Sequence, residues 1–137
     1  MFQLRWHSAC CVAVAIFAVS LISAAANEPA FPFGSALFLD SPPLPGSKRI
    51  PMIEIEENGK ASLNLWCASV NGSANVAADT ITITPSVKTS SVQCAPDRFT
   101  RDASLLTALM QVTNWQRHGD VIDLIGTTNL RFRMTTN

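Results

Sequence analysis

Apolar and polar residues alternate with a period of two along most of the chain. This restricts the fold to strands that bury one face. "ALFLD" places Leu37 and Leu39 on one face. "MIEIE" turns Ile53 and Ile55 inward and Glu54 and Glu56 outward. "ASLNLWC" sends Leu63, Leu65 and Cys67 to one side and Asn64 and Trp66 to the other. "DTITIT" sets Ile81 and Ile83 against Thr80, Thr82 and Thr84. "DVIDLIG" is apolar on both faces apart from Asp123, and "NLRFRM" buries Leu130, Phe132 and Met134 while exposing Arg131 and Arg133.

Turn residues separate these runs. Asn58-Gly59 lies between two alternating segments and predicts a hairpin, because both residues tolerate positive φ. Asn71-Gly72, His118-Gly119 and Gly126-Thr127 predict further reversals. "DSPPLPG", residues 40–46, holds three prolines and reads as a loop or stiff connector. One segment changes period: "DASLLTALMQV" places Leu105, Leu106, Leu109 and Met110 on a helical stripe. Asp102 stands where an N-cap carboxylate would accept first-turn N–H groups. The order predicted is four or five strands, one helix, then two or three strands. That implies a mostly β (α+β) fold, an antiparallel sheet with one inserted helix curled into a partly open barrel.

The N-terminus reads as an export signal. Residues 1–7 carry only Arg5 as a charge, residues 9–26 are almost all small or apolar, and "SAAAN" supplies a small-residue cleavage site. Cleavage is expected between Ala26 and Asn27, although the apolar run is also near the shortest length for an uncleaved anchor. The expected location is therefore periplasmic or secreted, with no stable membrane span after signal removal. Residues 27–137 then form one domain of 111 residues, large enough to bury about two-thirds of its unfolded surface. Without Arg5 it has nine basic and ten acidic side chains. That balance gives no long-range field for nucleic acid or an anionic membrane.

Cys67 and Cys94 are the cysteines left after cleavage. An even pair in an exported chain is most simply a disulfide. A metal site needs three or four clustered ligands, and two cysteines with His118 show no such spacing, so none is expected. A nucleophilic Cys67 would need a base, and His118 in its turn is the sole candidate. Glu54, Glu56 and Glu57 read as a solvated face rather than a glycosidase pair. Arg131 and Arg133 offer an anion or partner contact, or a solvated face paired with Glu54 and Glu56. Trp66, opposite Leu65, either lines a cavity mouth or covers the helix, and Trp115 is expected to pack the helix onto the sheet.

The order of these features is specific. A strand ends in Cys67, with a glycine five residues on at Gly72, then "TITI" and the approach "KTSSVQC". The helix with Leu105 and Leu109 follows, then "W…GDVIDL" and the closing "LRFRM". From about Phe31 to its end the chain resembles the META-domain family, also called HslJ-like. Trp66-Cys67-Ala68 stands where family members often carry Gly-Cys-Asn, and Ser73 and Ala74 stand where an aromatic is common. The resemblance implies a lipocalin-like, partly open barrel interrupted by a helix. It also implies a link to heat or antibiotic stress, envelope integrity and, in protozoa, secretion and virulence. The fold it implies is similar to that of lipid-binding pilot proteins of bacterial secretins.

The expected function is thus an exported, non-enzymatic module for envelope stress tolerance or protein interaction, without cofactor. One alternative is a carrier for a small apolar, lipid-like ligand in a barrel cavity. The other is an inhibitor of an envelope hydrolase acting through "DSPPLPG". No elbow, phosphate-loop, dinucleotide or metal motif is present.

Overall fold

The computed structural model describes residues 29–89 and 93–135. The expected signal and its Ala26–Asn27 boundary lie outside the described residues. The elements are β1 (Leu37–Leu39), β2 (Met52–Ile55), β3 (Lys60–Asn64), β4 (Ser69–Ala77), β5 (Thr80–Thr89), α1 (Pro96–Met110), β6 (Val112–His118), β7 (Val121–Gly126) and β8 (Leu130–Met134). Each strand pairs antiparallel with the next in sequence, and β1 pairs with β8, so the sheet closes into a barrel. Five strands, a helix and three strands match the predicted order.

The barrel is closed, but its β5–β6 seam is thin. A single register pair, Thr80 with Asn114, joins these strands. The rest of β5 pairs with β4, out to Ser69 with Thr89. Helix α1 leaves from the far end of β5 and packs beside that strand. An otherwise bare sheet edge is therefore covered.

Antiparallel order assigns every connection to one of two ends. The β1–β2 loop, the β3–β4 turn, α1 and the β7–β8 turn share one end. The β2–β3, β4–β5 and β6–β7 turns share the other, together with the segment before β1. Gly34 N–H is anchored there by Ile55 O at 2.8 Å.

Period-two burial holds almost as predicted. Leu37, Leu39, Ile53, Ile55, Leu63, Ile81, Ile83 and Phe132 are buried, and the intervening residues turn outward. On β7, Ile122 and Leu124 enter the core while Val121 and Ile125 are half-buried. On β8, Leu130 and Met134 are partly buried against the core. Leu105 and Leu109 of the helix join the same cluster, but Met110 is 60% exposed, contrary to its predicted place on the stripe. Met110 lies next to the helix end and turns away from the Leu105–Leu109 face.

Two turn expectations need revision. Asn58-Gly59 does close the β2–β3 hairpin, but only Gly59 has positive φ, at 85°. Gly59 N–H donates to Glu56 O, and Glu56 N–H to Lys60 O. This is a turn followed by a glycine bulge rather than a two-residue turn with two positive φ values. Asn71-Gly72 makes no reversal; it is a bulge within β4, which turns only at Ala78-Asp79. A side chain at position 72 would run into the Thr84 carbonyl and come within 2.9 Å of Pro85 Cα. The glycine thus answers a close strand approach, not a turn. Gly72→Ala is expected to lower unfolding free energy by about 2 kcal/mol, read as a lower urea midpoint. Gly34→Ala, with nothing near the added carbon, carries only the left-handed backbone cost.

Candidate functional site

Among the described residues one charged side chain lies in the interior. Asp102 is 1% exposed and sits in the middle of α1, six residues after the helix begins at Pro96. It is not the N-cap; Ala95 holds that position, with Pro96 at N1 and Asp97 in the first turn. Helical spacing puts Asp102 in line with Leu105 and Leu109, on the buried face.

Its carboxylate meets the tip of the β3–β4 connection. Trp66 N–H donates to Oδ1 at 2.9 Å, and Cys67 and Ala68 N–H donate to Oδ2 at 3.1 and 2.7 Å. Leu65 N–H closes the turn on Ala68 O at 2.8 Å. Three successive amides aimed at one point form an anion-binding concavity. A buried charge costs several kcal/mol unless its lone pairs are met. Among the described residues no buried side-chain nitrogen or oxygen lacks a partner.

Cys67 belongs to the same turn. Strand β3 ends at Asn64, so Cys67 is a loop residue and half-buried rather than an inward strand position. Cys67 and Cys94 stand as a disulfide pair with Cα atoms 6.1 Å apart, within the usual range. Cys94 lies just ahead of Pro96. The start of the helix is thus tied to the β3–β4 turn covalently, and its second turn is tied there by Asp102. Arg49 adds a hydrogen bond from Nη1 to Cys67 O at 3.1 Å.

The other candidates are dispersed. Trp66 is half-buried and packs against the core cluster at the helix end of the barrel. His118 is exposed as the last residue of β6, at the opposite end from Cys67. Arg131 and Arg133 do not pair with Glu54 and Glu56. Arg131 Nε meets Asp123 Oδ1 at 2.8 Å and Arg133 Nε meets Asp40 Oδ2 at 2.9 Å. The hydrogen bond from Arg131 to Asp123, and then Asp123's charge, hold the guanidinium pKa above its ordinary value. Asp123 lies directly across from Arg131 in the β7–β8 register, so strand pairing selects it over the glutamates. Glu56 meets Lys60 at 3.5 Å. These are exposed pairs of small energetic weight.

Trp115 is buried on β6 and acts at the end away from the helix. Its ring lies edge-on to Phe31 with centroids 5.1 Å apart, and Nε1 donates to Ala78 O at 2.8 Å. Around it opens a cleft of about 590 Å³, bounded by residues 29–33, the Val76–Asp79 turn region and residues 115–118. A second, shallower cleft of about 380 Å³ runs between the outer face of α1 and Thr128. The helix hydroxyls there, Thr100, Ser104 and Thr107, donate to helix carbonyls four residues back. Among the described residues no three His, Cys, Asp or Glu side chains gather as a metal-ligand set, and no helix is long and apolar enough to cross a membrane.

The META domain family model matches residues 37–136. Two NMR structures share the fold. One, from Burkholderia xenovorans, superposes with a TM-score of 0.60 at 15% identity, over 77% of this chain and 84% of that one. The other has a TM-score of 0.58 at 14% identity, over 74% of this chain and 89% of that one. No curated protein is significantly similar to the chain.

Asp102→Asn leaves one of the three amides facing an NH2 group and removes the charge from all three bonds. The expected loss in unfolding free energy is roughly 3 kcal/mol, measured by urea denaturation. For the cysteines, a bridge across 27 residues stabilises by about 3–4 kcal/mol on the chain-entropy model. Cys67→Ser and Cys94→Ser are expected to lower the melting temperature equally. The double variant should add little, and additive losses would count against a shared bond.

Proposed function

The chain belongs to the META-domain family, and on that premise we propose that it is an exported, non-enzymatic module acting in envelope stress tolerance through binding of a protein partner. The observation that carries this reading is the use made of Asp102. It is the one buried charged side chain among the described residues, and its oxygens are already occupied by Trp66, Cys67 and Ala68 N–H groups. A general acid or base needs a free lone pair or proton within reach of substrate. The separation of His118 from Cys67 by the length of the barrel supports the same reading. Export is supported by the cysteine pair, since such bonds persist in oxidising compartments.

A second reading is small-ligand binding. A cargo inside the barrel has little support, because Leu37, Ile53, Ile55, Leu63, Ile122 and Phe132 fill the interior at 1% exposure or less. The cleft beside Trp115 supports binding at the barrel's rim instead, and its volume falls within the range of small-molecule sites.

Native mass spectrometry of the protein expressed with its N-terminal segment and recovered from the periplasm tests the first reading. The expected species begins at Asn27, carries no adduct, and is lighter than its reduced form by the two thiol hydrogens. A chain that keeps residues 1–26 with free thiols would contradict export, and a retained adduct of several hundred daltons would favour the carrier.

A further inference from the structure

We propose that the cleft at the barrel end opposite the helix binds a small amphiphile with an apolar body and a single carboxylate. The proposal deepens the small-ligand reading and does not depend on export or on a protein partner. The body lies against Phe31, Phe33 and Trp115, and the carboxylate meets Arg117.

The apolar part of the site is built before any ligand arrives. Phe33 and Phe31 pack with ring centroids 5.0 Å apart, and Phe31 meets Trp115 edge-on at 5.1 Å. Trp115 is fixed from two sides, since its N–H donates to Asp79 O and its indole Nε1 to Ala78 O. Ala78 has a φ of 53°, a left-handed conformation that an alanine adopts at a cost. The two carbonyls of this strained turn both hold Trp115, so the strain is tied to the placement of the cleft's aromatic wall. Rigid aromatic surface with few polar groups is the usual make-up of a small-ligand site.

The head group follows from charge. Three arginines project from β6 and β8, and two are paired, Arg131 with Asp123 and Arg133 with Asp40. Arg117 lines the cleft and has no carboxylate partner among the described residues. Its Nε donates to Gly119 O at 2.9 Å and Nη1 to Ala30 O at 3.0 Å. Neutral carbonyls orient the guanidinium, and no described carboxylate pairs with its charge. A planar guanidinium held this way beside apolar surface favours an oxyanion. Asp79 also borders the cleft, but it is exposed where Arg117 is half-buried. Water screens the exposed carboxylate more than the half-buried cation.

The test uses the mature chain with its cysteines oxidised and three probes that share one body: 4-phenylbutyrate, 4-phenylbutylamine and 4-phenylbutanol. Titrations follow the Trp115 indole N–H by NMR. The expected result is a saturable shift with 4-phenylbutyrate and a Kd about tenfold or more below that for the amine. Arg117→Met keeps an apolar stem, and its spectrum reports directly whether the fold survives. It should remove the preference, whereas Asp79→Asn should leave it standing. The head-group comparison in the unmodified protein needs no variant. Equal or tighter binding of the amine, or an unchanged preference in Arg117→Met, would overturn the carboxylate assignment while leaving small-ligand binding in place. No saturable shift with any probe would overturn both.

Discussion

A carboxylate inside a protein needs donors, and Asp102 finds three in a row. The buried face of α1 carries Leu105 and Leu109 into the core and Asp102 to its margin. There the turn between β3 and β4 presents the N–H groups of Trp66, Cys67 and Ala68. Each bond is charge-assisted, and together they meet both oxygens. Separated, the carboxylate and the amides would each lose their partners in a water-poor setting. This fixes the helix at a definite place on the barrel end, beyond what apolar packing alone would specify. The cysteine pair ties the chain ahead of the helix to the same turn.

The two ends of the barrel consequently differ. One is closed by α1 and its tethers, and the strand edge left by the thin β5–β6 seam is covered there. The other is made of short turns and the segment before β1, with aromatic surface and Arg117 around a cleft. The polar groups at this end, Arg117 and the Trp115 indole, are held by backbone carbonyls rather than by carboxylates. At the helix end the charged group is occupied internally, and on β8 Arg131 and Arg133 already have acidic partners.

Strands were the legible part of the sequence because a period of two survives in any sheet with one buried face. The inward residues of β1, β2, β5 and β8 follow from it directly. Gly72 misleads because Asn-Gly has turn chemistry whether or not the chain turns, and only the partner strand reveals the close approach of Thr84. Asp102 misleads for a related reason. Its residue type fits an N-cap, but its position three and seven residues before Leu105 and Leu109 places it on the buried stripe. That spacing was visible, and a charge on such a stripe signals a buried partner. The donors themselves were not visible, since they lie more than thirty residues away and are backbone groups. Trp115 and its cleft depend on barrel closure bringing the chain before β1 against β6, which no local pattern records.

Amide hydrogen exchange at Trp66, Cys67 and Ala68, followed in the folded protein before and after reduction of Cys67–Cys94, tests most directly whether Asp102 holds the helix on the barrel. The expected result is strong protection of all three amides in the oxidised protein, retained after reduction for as long as the barrel stays folded. Exchange as fast as that of exposed turn amides in the oxidised protein, or protection lost on reduction alone, would contradict the clamp and leave the disulfide as the sole tether.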